Sequence, residues 1–250
     1  MNLDRFKIVK AAEIERLHGQ PPPPPLEGTR PCFLPHRAEG ERIRVIAEYK
    51  RASPSRGVIC ERYTPKEIAD LYALGGACAI SVLTDEVYFK GRLDFLRRVA
   101  ARTALPLLRK DFIFDEAQVR ETATTPASAL LLIVALTPDA ARLRGLRELT
   151  ESFGMTAVVE VFDERELDVA RIAGASVIQV NNRNLETLAV DTSVTARLVS
   201  RKMAGERWIA ASGYETRGQL DALAGYDAAL VGTALMASDC PCEALQRLTR

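Results

Sequence analysis

Beyond residue 42 the chain alternates, eight times over, between a short apolar run and an amphipathic, charge-rich stretch. The apolar runs lie at 43–49, 77–83, 105–109, 128–134, 156–161, 176–180, 207–211 and 228–231. Their length and aliphatic content suit parallel strands buried on both faces. The stretches between them, 65–74, 92–102, 115–124, 138–152, 163–173, 192–202 and 215–224, read as helices, with a last one at 241–248. Pro65, Pro138 and Asp163 suit helix starts, and Gly75, Gly154 and Gly174 suit helix ends. Eight strand–helix units within 250 residues predict an α/β fold, a single (β/α)8 TIM barrel spanning 43–250. A doubly wound sheet is the alternative. It seldom uses eight such regular units, and no GxGxxG follows the first strand.

Residues 1–42 read as an N-terminal helical extension and a Pro-rich linker. Leu3, Phe6, Ile8, Val9, Ile14 and Leu17 are spaced among charges as in an amphipathic helix over 3–18. Pro21 to Pro25 form a five-proline run that favours extended polyproline II, a stiff spacer. Lys and Arg number 34 against 33 Asp and Glu. That balance offers no bulk attraction for nucleic acid or an anionic membrane. No apolar run approaches the roughly 20 residues of a membrane helix, and the first residues lack a signal peptide's apolar core. The five cysteines, scattered and without zinc-finger spacing, suit reduced thiols in a cytoplasmic protein. The two histidines, His18 and His36, both precede the first strand. Acid–base chemistry therefore falls to Lys, Glu or Asp, with no metal and no organic cofactor expected.

Reactive or small polar residues follow the apolar runs at Glu48/Lys50, Lys110, Glu160, Asn181/Arg183, Ser212/Gly213 and Gly232/Thr233. Six such strand ends predict one site on one rim of the barrel. Alternation puts Glu48 and Lys50 on one face and Tyr49 on the other. The pair serves as acid and base or as a structural ion pair at the rim. The Ser53–Pro54–Ser55–Arg56–Gly57 continuation adds hydroxyls and a flexible backbone for an anion. Lys110, at a half-buried strand end, suits a proton donor, because desolvation disfavours its charge. Arg109 and Asp111, on the opposite face, suit a structural pair. Glu160 lies among branched apolar residues and needs a partner; Lys110 or Lys50 across the mouth is the expected one. Gly213 and Gly232 allow backbone N–H groups to approach a phosphate near Ser212 and Thr233. Phe89 and Phe112, in the loops after strands 2 and 3, with Leu131 on strand 4, make an apolar wall for an aromatic ring.

The segments IAEYKRASPSRGVI (46–59), ISVLTDEVYFKG (80–91), PLLRKDFIFDEAQV (106–119), ALLLIVA (129–135), VVEVFDERELDVA (158–170), VIQVNNRNLETLAVD (177–191), ASGYET (211–216) and ALVGTALM (229–236) resemble indole-3-glycerol phosphate synthase, a (β/α)8 enzyme of tryptophan biosynthesis. The resemblance runs from about 43 to 238; the N-terminal helix and the proline run match only loosely. It implies a phosphorylated small-molecule substrate, 1-(2-carboxyphenylamino)-1-deoxyribulose 5-phosphate, whose indole ring is closed with loss of CO2 and water. It implies Lys110 as general acid, Glu160 as an aid to proton transfer in dehydration, and Lys50 as the holder of the aryl carboxylate. Glu48 would orient the lysines, and Asn181 and Arg183 would complete the polar wall. Ser53, Gly213, Gly232 and Thr233 would bind phosphate with Ser212 beside them, and Phe89, Phe112 and Leu131 would enclose the ring. The family usually carries Glu-Ser-Gly where this chain has Ala211–Ser212–Gly213, and Ala-Gly-Ala where it has Thr125–Pro126–Ala127. A phosphosugar isomerase on the same barrel would share strands 7 and 8 but not the Lys50–Lys110–Glu160 set. A silent paralogue or scaffold is the other alternative, against which Glu48, Lys50, Lys110, Glu160 and Asn181 speak. The sequence does not identify any pathway-enzyme partner.

Overall fold

The computed structural model describes residues 3–21, 23–38 and 40–250. Pro22 of the proline run lies outside them. Eight parallel strands close on themselves: β1 (Arg44–Tyr49), β2 (Ala79–Leu83), β3 (Leu107–Ile113), β4 (Ala129–Ile133), β5 (Thr156–Val161), β6 (Val177–Asn181), β7 (Arg207–Ala211) and β8 (Ala228–Val231). β1 pairs with β2 on one side and β8 on the other, so no edge remains open. Alternation then divides the apolar residues in two. Val45, Val82, Leu130, Val159, Ile178 and Ala210 pack outward against the helices. Ile46, Leu108, Leu131, Val158, Val177, Ile209 and Leu230 fill the barrel. This is the eightfold pattern expected from the sequence, with side chains alternating by the two-residue period of a strand.

The boundaries differ where apolar content is a poor guide. β3 runs to Ile113, four residues past the apolar run, and its register shifts between Arg109 and Ile113. Charged Arg109, Lys110 and Asp111 are therefore inside the strand, and Phe112 lies on it, not in a loop. Phe89 ends a short helix, Glu86–Phe89. Pro65 occupies the first turn of its helix and Asp163 caps the helix Glu164–Ile172, as expected. Pro138 does not start one: the Asp139 carboxylate accepts from Arg142 N–H and caps Ala140–Ser152. Gly76, not Gly75, supplies the left-handed turn (φ +88) after the Pro65–Gly75 helix. The stretch 192–202 is a shorter helix, Ser193–Leu198, followed by a 3-10 turn.

Helix α1 (Asp4–His18) forms as expected, but its buried face is unusual. Phe6 and Lys10 are buried, while Ile8 is 72% exposed. The chain then descends the barrel wall. Leu26 N–H donates to the Ala123 carbonyl at 2.8 Å, and the Arg30 guanidinium gathers the carbonyls of Ala123, Thr125 and Ala127. Phe33 and Leu34 are buried at the opposite end, where the Leu34 carbonyl accepts from Arg207, the first residue of β7. The extension thus touches both ends of the barrel before β1 begins. Among the described residues no helix is long and apolar enough to cross a membrane.

Candidate active site

A cavity of about 290 Å³ opens at the C-terminal rim. All fourteen residues singled out in the sequence line it: Glu48, Lys50, Ser53, Phe89, Lys110, Phe112, Leu131, Glu160, Asn181, Arg183, Ser212, Gly213, Gly232 and Thr233. They come together because most of them stand on or just after the inward face of a strand end, the position from which a TIM barrel builds its sites.

Two lysines converge on one carboxylate. Lys50 Nζ lies 2.8 Å from Glu48 Oε1, and Lys110 Nζ lies 3.7 Å from Glu48 Oε2. Burial works to raise the Glu48 carboxyl, but Lys50 and Lys110, with Arg183 behind them, hold it below the ordinary carboxylate value. Glu48 also explains Gly232. A methyl group there would stand 2.2 Å from Glu48 Oε1, so the carboxylate keeps its place only over a residue with no side chain.

Glu160 departs from expectation. It makes no ion pair with Lys50 or Lys110. Its Oε2 accepts from Gln179 Nε2 at 2.5 Å, across the β5–β6 pair. The lysines are already engaged by Glu48, and the side chain nearest in register to Glu160 on β6 is an amide. Gln179 carries no sequence motif; only its place two residues before Asn181, on the same face, could have marked it.

The remaining wall is built by loops. Ala52–Ser53 pairs antiparallel with Gly57–Val58, folding the Ser-Pro-Ser-Arg-Gly segment into a small hairpin. Ser53 Oγ accepts from Arg56 N–H at 3.2 Å. Asn181 Oδ1 accepts from Arg183 N–H at 3.0 Å, and Arg183 donates to the Leu188 carbonyl at 2.7 Å. Burial, with repulsion from Arg56 after it, draws the Arg183 guanidinium down from its ordinary value. Both groups would gain from an anion set between them. Ser212 (φ +71) and Gly213 (φ +89) turn the chain sharply after β7. Asn182, fully buried on the outward face, holds that turn by donating to the Ser212 carbonyl and the Tyr214 hydroxyl. Of two adjacent asparagines, alternation sends one to the cavity and one to the scaffold.

The apolar wall has a member that sequence reasoning missed. Phe6 of α1 stacks on Phe112 with centroids 4.1 Å apart, and Phe89 stands 6.0 Å from the same ring. Leu131 and Ile133 continue the surface. Arg56, read only as part of its loop, also lines the cavity. Ala211 faces inward beside Asn181 in the β6–β7 register. Among the described residues no group of three His, Cys, Asp or Glu is placed to hold a metal ion.

Three comparisons bear on this arrangement. The family model described as indole-3-glycerol phosphate synthase matches residues 33–248. The indole-3-glycerol phosphate synthase of Chloroherpeton thalassium is 46% identical over 209 residues, covering 82% of this chain and 80% of that one. Indole-3-glycerol phosphate synthase 2 of Streptomyces coelicolor is 48% identical over 204 residues, covering 80% and 78%. The crystal structure of KGPDC from Streptococcus mutans shares the fold, with a TM-score of 0.62, at 11% identity over 83% of this chain and 96% of that one. With the family model matching most of the chain and the rim residues gathered in one cavity, the chain belongs to the indole-3-glycerol phosphate synthase family, carboxy-lyases of tryptophan biosynthesis.

Proposed function

We propose that the rim cavity binds 1-(2-carboxyphenylamino)-1-deoxyribulose 5-phosphate and closes its indole ring, with the residue roles set out below. The observation that carries the reading is the convergence of Lys50 and Lys110 on buried Glu48 beside a wall of aromatic rings. That juxtaposition suits a substrate with an anionic aromatic end and a ketone to be protonated. The aryl ring lies against Phe112, Phe89 and Leu131, and its carboxylate meets Lys50. The aryl carbon attacks the ketone, and Lys110 gives the ketone oxygen its proton. Glu48 orients both lysines. The carboxylate then leaves as CO2, and Glu160 assists proton transfer as the new hydroxyl leaves as water.

The phosphate lies between the Ser53 hairpin and the turns after β7 and β8. Ser53, Ser212 and Thr233 offer hydroxyls, Gly213 and Gly232 offer backbone N–H groups, and Arg183 and Arg56 supply positive charge. Asn181 fixes the Arg183 backbone. The five cysteines, all free thiols, support a cytoplasmic location.

The purified protein supplied with this substrate should develop indole absorbance and fluorescence with release of one CO2 per turnover. A folded protein that yields neither would return the chain to the silent-paralogue reading.

A further inference from the structure

Gln179 touches none of the substrate groups assigned above, yet it is fully buried inside the barrel. It faces Glu160 directly in the β5–β6 register. Its Nε2 donates to Glu160 Oε2 at 2.5 Å, while its own Oε1 is buried with no hydrogen-bond partner. The other cross-strand neighbour of Glu160 is Ile133 of β4, which has nothing to donate. On the far side of Gln179, β7 turns Ile209 and Ala211 inward. The amide of Gln179 is therefore the polar group that the adjoining strands bring to this carboxylate. A side chain that served packing alone would be apolar here, since an unpartnered amide oxygen is costly to bury. The half-satisfied amide makes sense if its other half has a task.

We propose that Gln179 is a positioning residue for the reaction, holding Glu160 by one oxygen so that the other is fixed in place for proton transfer during dehydration. The inference rests on the role proposed for Glu160. An amide donor suits the task better than a lysine. It aims the carboxylate, but it carries no titratable proton to exchange with it.

The test is a double-mutant cycle on the purified full-length protein, read by indole formation. Gln179→Met keeps the volume and removes the donor. It should lower kcat by about 10- to 100-fold, the scale on which catalysis responds to small misplacements. KM should change little, so that the loss falls on kcat. Glu160→Gln should be slow by itself, and adding Gln179→Met to it should cost nothing further, because the amide acts through the carboxylate. Full kcat in Gln179→Met, or a loss carried by KM alone, would overturn the proposal, and so would losses that multiply in the double variant. If Glu160→Gln is slow in either case, the role of Glu160 survives; if Glu160→Gln turns over normally, both fall together. Should Gln179→Met fail to fold, as judged by circular dichroism, Gln179→Ala answers the same questions.

Discussion

Two clusters of buried charge stand back to back on β3, and they differ in what they leave open. Outward, Arg109 donates to Asp111, Glu121 and the Thr122 hydroxyl at 3.2, 3.1 and 2.9 Å. Lys10, reaching in from α1, lies 2.7 Å from Asp111, 2.9 Å from Glu13 and 3.3 Å from Asp85; the Asp85 contact is ionic, without a directed hydrogen bond. Asp111 also accepts from the Thr84 hydroxyl and from Phe112 N–H. Inward, one residue away, Lys110 shares Glu48 with Lys50. The cation side chains decide the comparison. Lys10 and Arg109 are 4% and 2% exposed, whereas Lys50 and Lys110 are 14% and 18% exposed and line the cavity. The same residue types make a closed bracket on one face of a strand and an open acid–base pair on the other. A buried charge is poised for chemistry when it keeps access to the cavity; the cations of the outer cluster are sealed among their carboxylates.

The inner cluster should break in rate. Lys110→Met should lower kcat by about 10²–10⁴-fold, the usual contribution of a general acid, with little change in melting temperature, since Glu48 keeps Lys50. Steady-state kinetics and thermal melts on the same preparation check both halves. Near-normal turnover would remove Lys110 from the mechanism and erase the distinction between the two faces.

The outer cluster should break in stability. Lys10→Met leaves Asp85 without its cation and Asp111 with Arg109 alone, and breaking a buried pair in this way costs about 3–5 kcal/mol. Denaturant unfolding measures it. Some activity should persist where the variant is folded, with a raised KM, because Phe6 lies one turn from Lys10 and packs on Phe112. The charge linkage has a definite sign. Burial lowers the Lys10 ammonium, but Asp111 and Glu13 overcome that and hold it above its ordinary value. Its contribution to stability is complete below the unfolded lysine value and fades only in strong alkali.

A change at the seam between the faces should be milder. Ala211→Glu places a carboxylate beside Asn181 at the cavity wall. Negative charge there favours protonated lysine and disfavours ionised carboxylates. Both limbs of the pH–rate profile should move to higher pH, in whichever direction kcat itself moves. Superimposable profiles in a folded variant would show that position 211 is electrostatically remote from the lysines.

These contrasts mark how far the sequence could be read. The barrel was legible because eight apolar runs repeat at a regular spacing, and inward strand ends could be told by counting in twos. Lys50, Lys110 and Glu48 followed from that count. The partner of Glu160 did not, because cross-strand register depends on the stagger of the closed sheet, and Gln179 sits in an apolar run like any buried residue. Phe6 and Lys10 were harder still. Their helix reads as amphipathic, yet it buries a lysine and exposes Ile8, since two carboxylates on distant segments were waiting for a cation. The end of β3 was misplaced for the same reason: its charged residues continue a strand by satisfying one another.

Glu166 offers the smallest and most specific test, since it is a half-buried carboxyl whose shift owes nothing to a cation. Burial raises it to about 7 from an ordinary 4.5; Asp163 and Glu160 push the same way, and a hydrogen bond from Phe162 N–H opposes them. The Phe162 donor lies 2.7 Å from Oε2. Because the folded value lies above the unfolded one, the native state holds this proton more tightly. Its contribution is fully present below about 4.5 and is lost as pH rises through about 7. Glu166→Gln keeps an oxygen for Phe162 N–H but has no charge to bury. The variant should match the wild type near pH ~4.5 and gain on it toward pH ~8, by on the order of 1–3 kcal/mol after allowance for the group's partial exposure. Melting temperatures of both proteins across that window measure the difference. Parallel curves would mean that the carboxyl ionises at no special cost, and that a missing cation partner matters less in this barrel than the contrast between Lys10 and Lys110 implies.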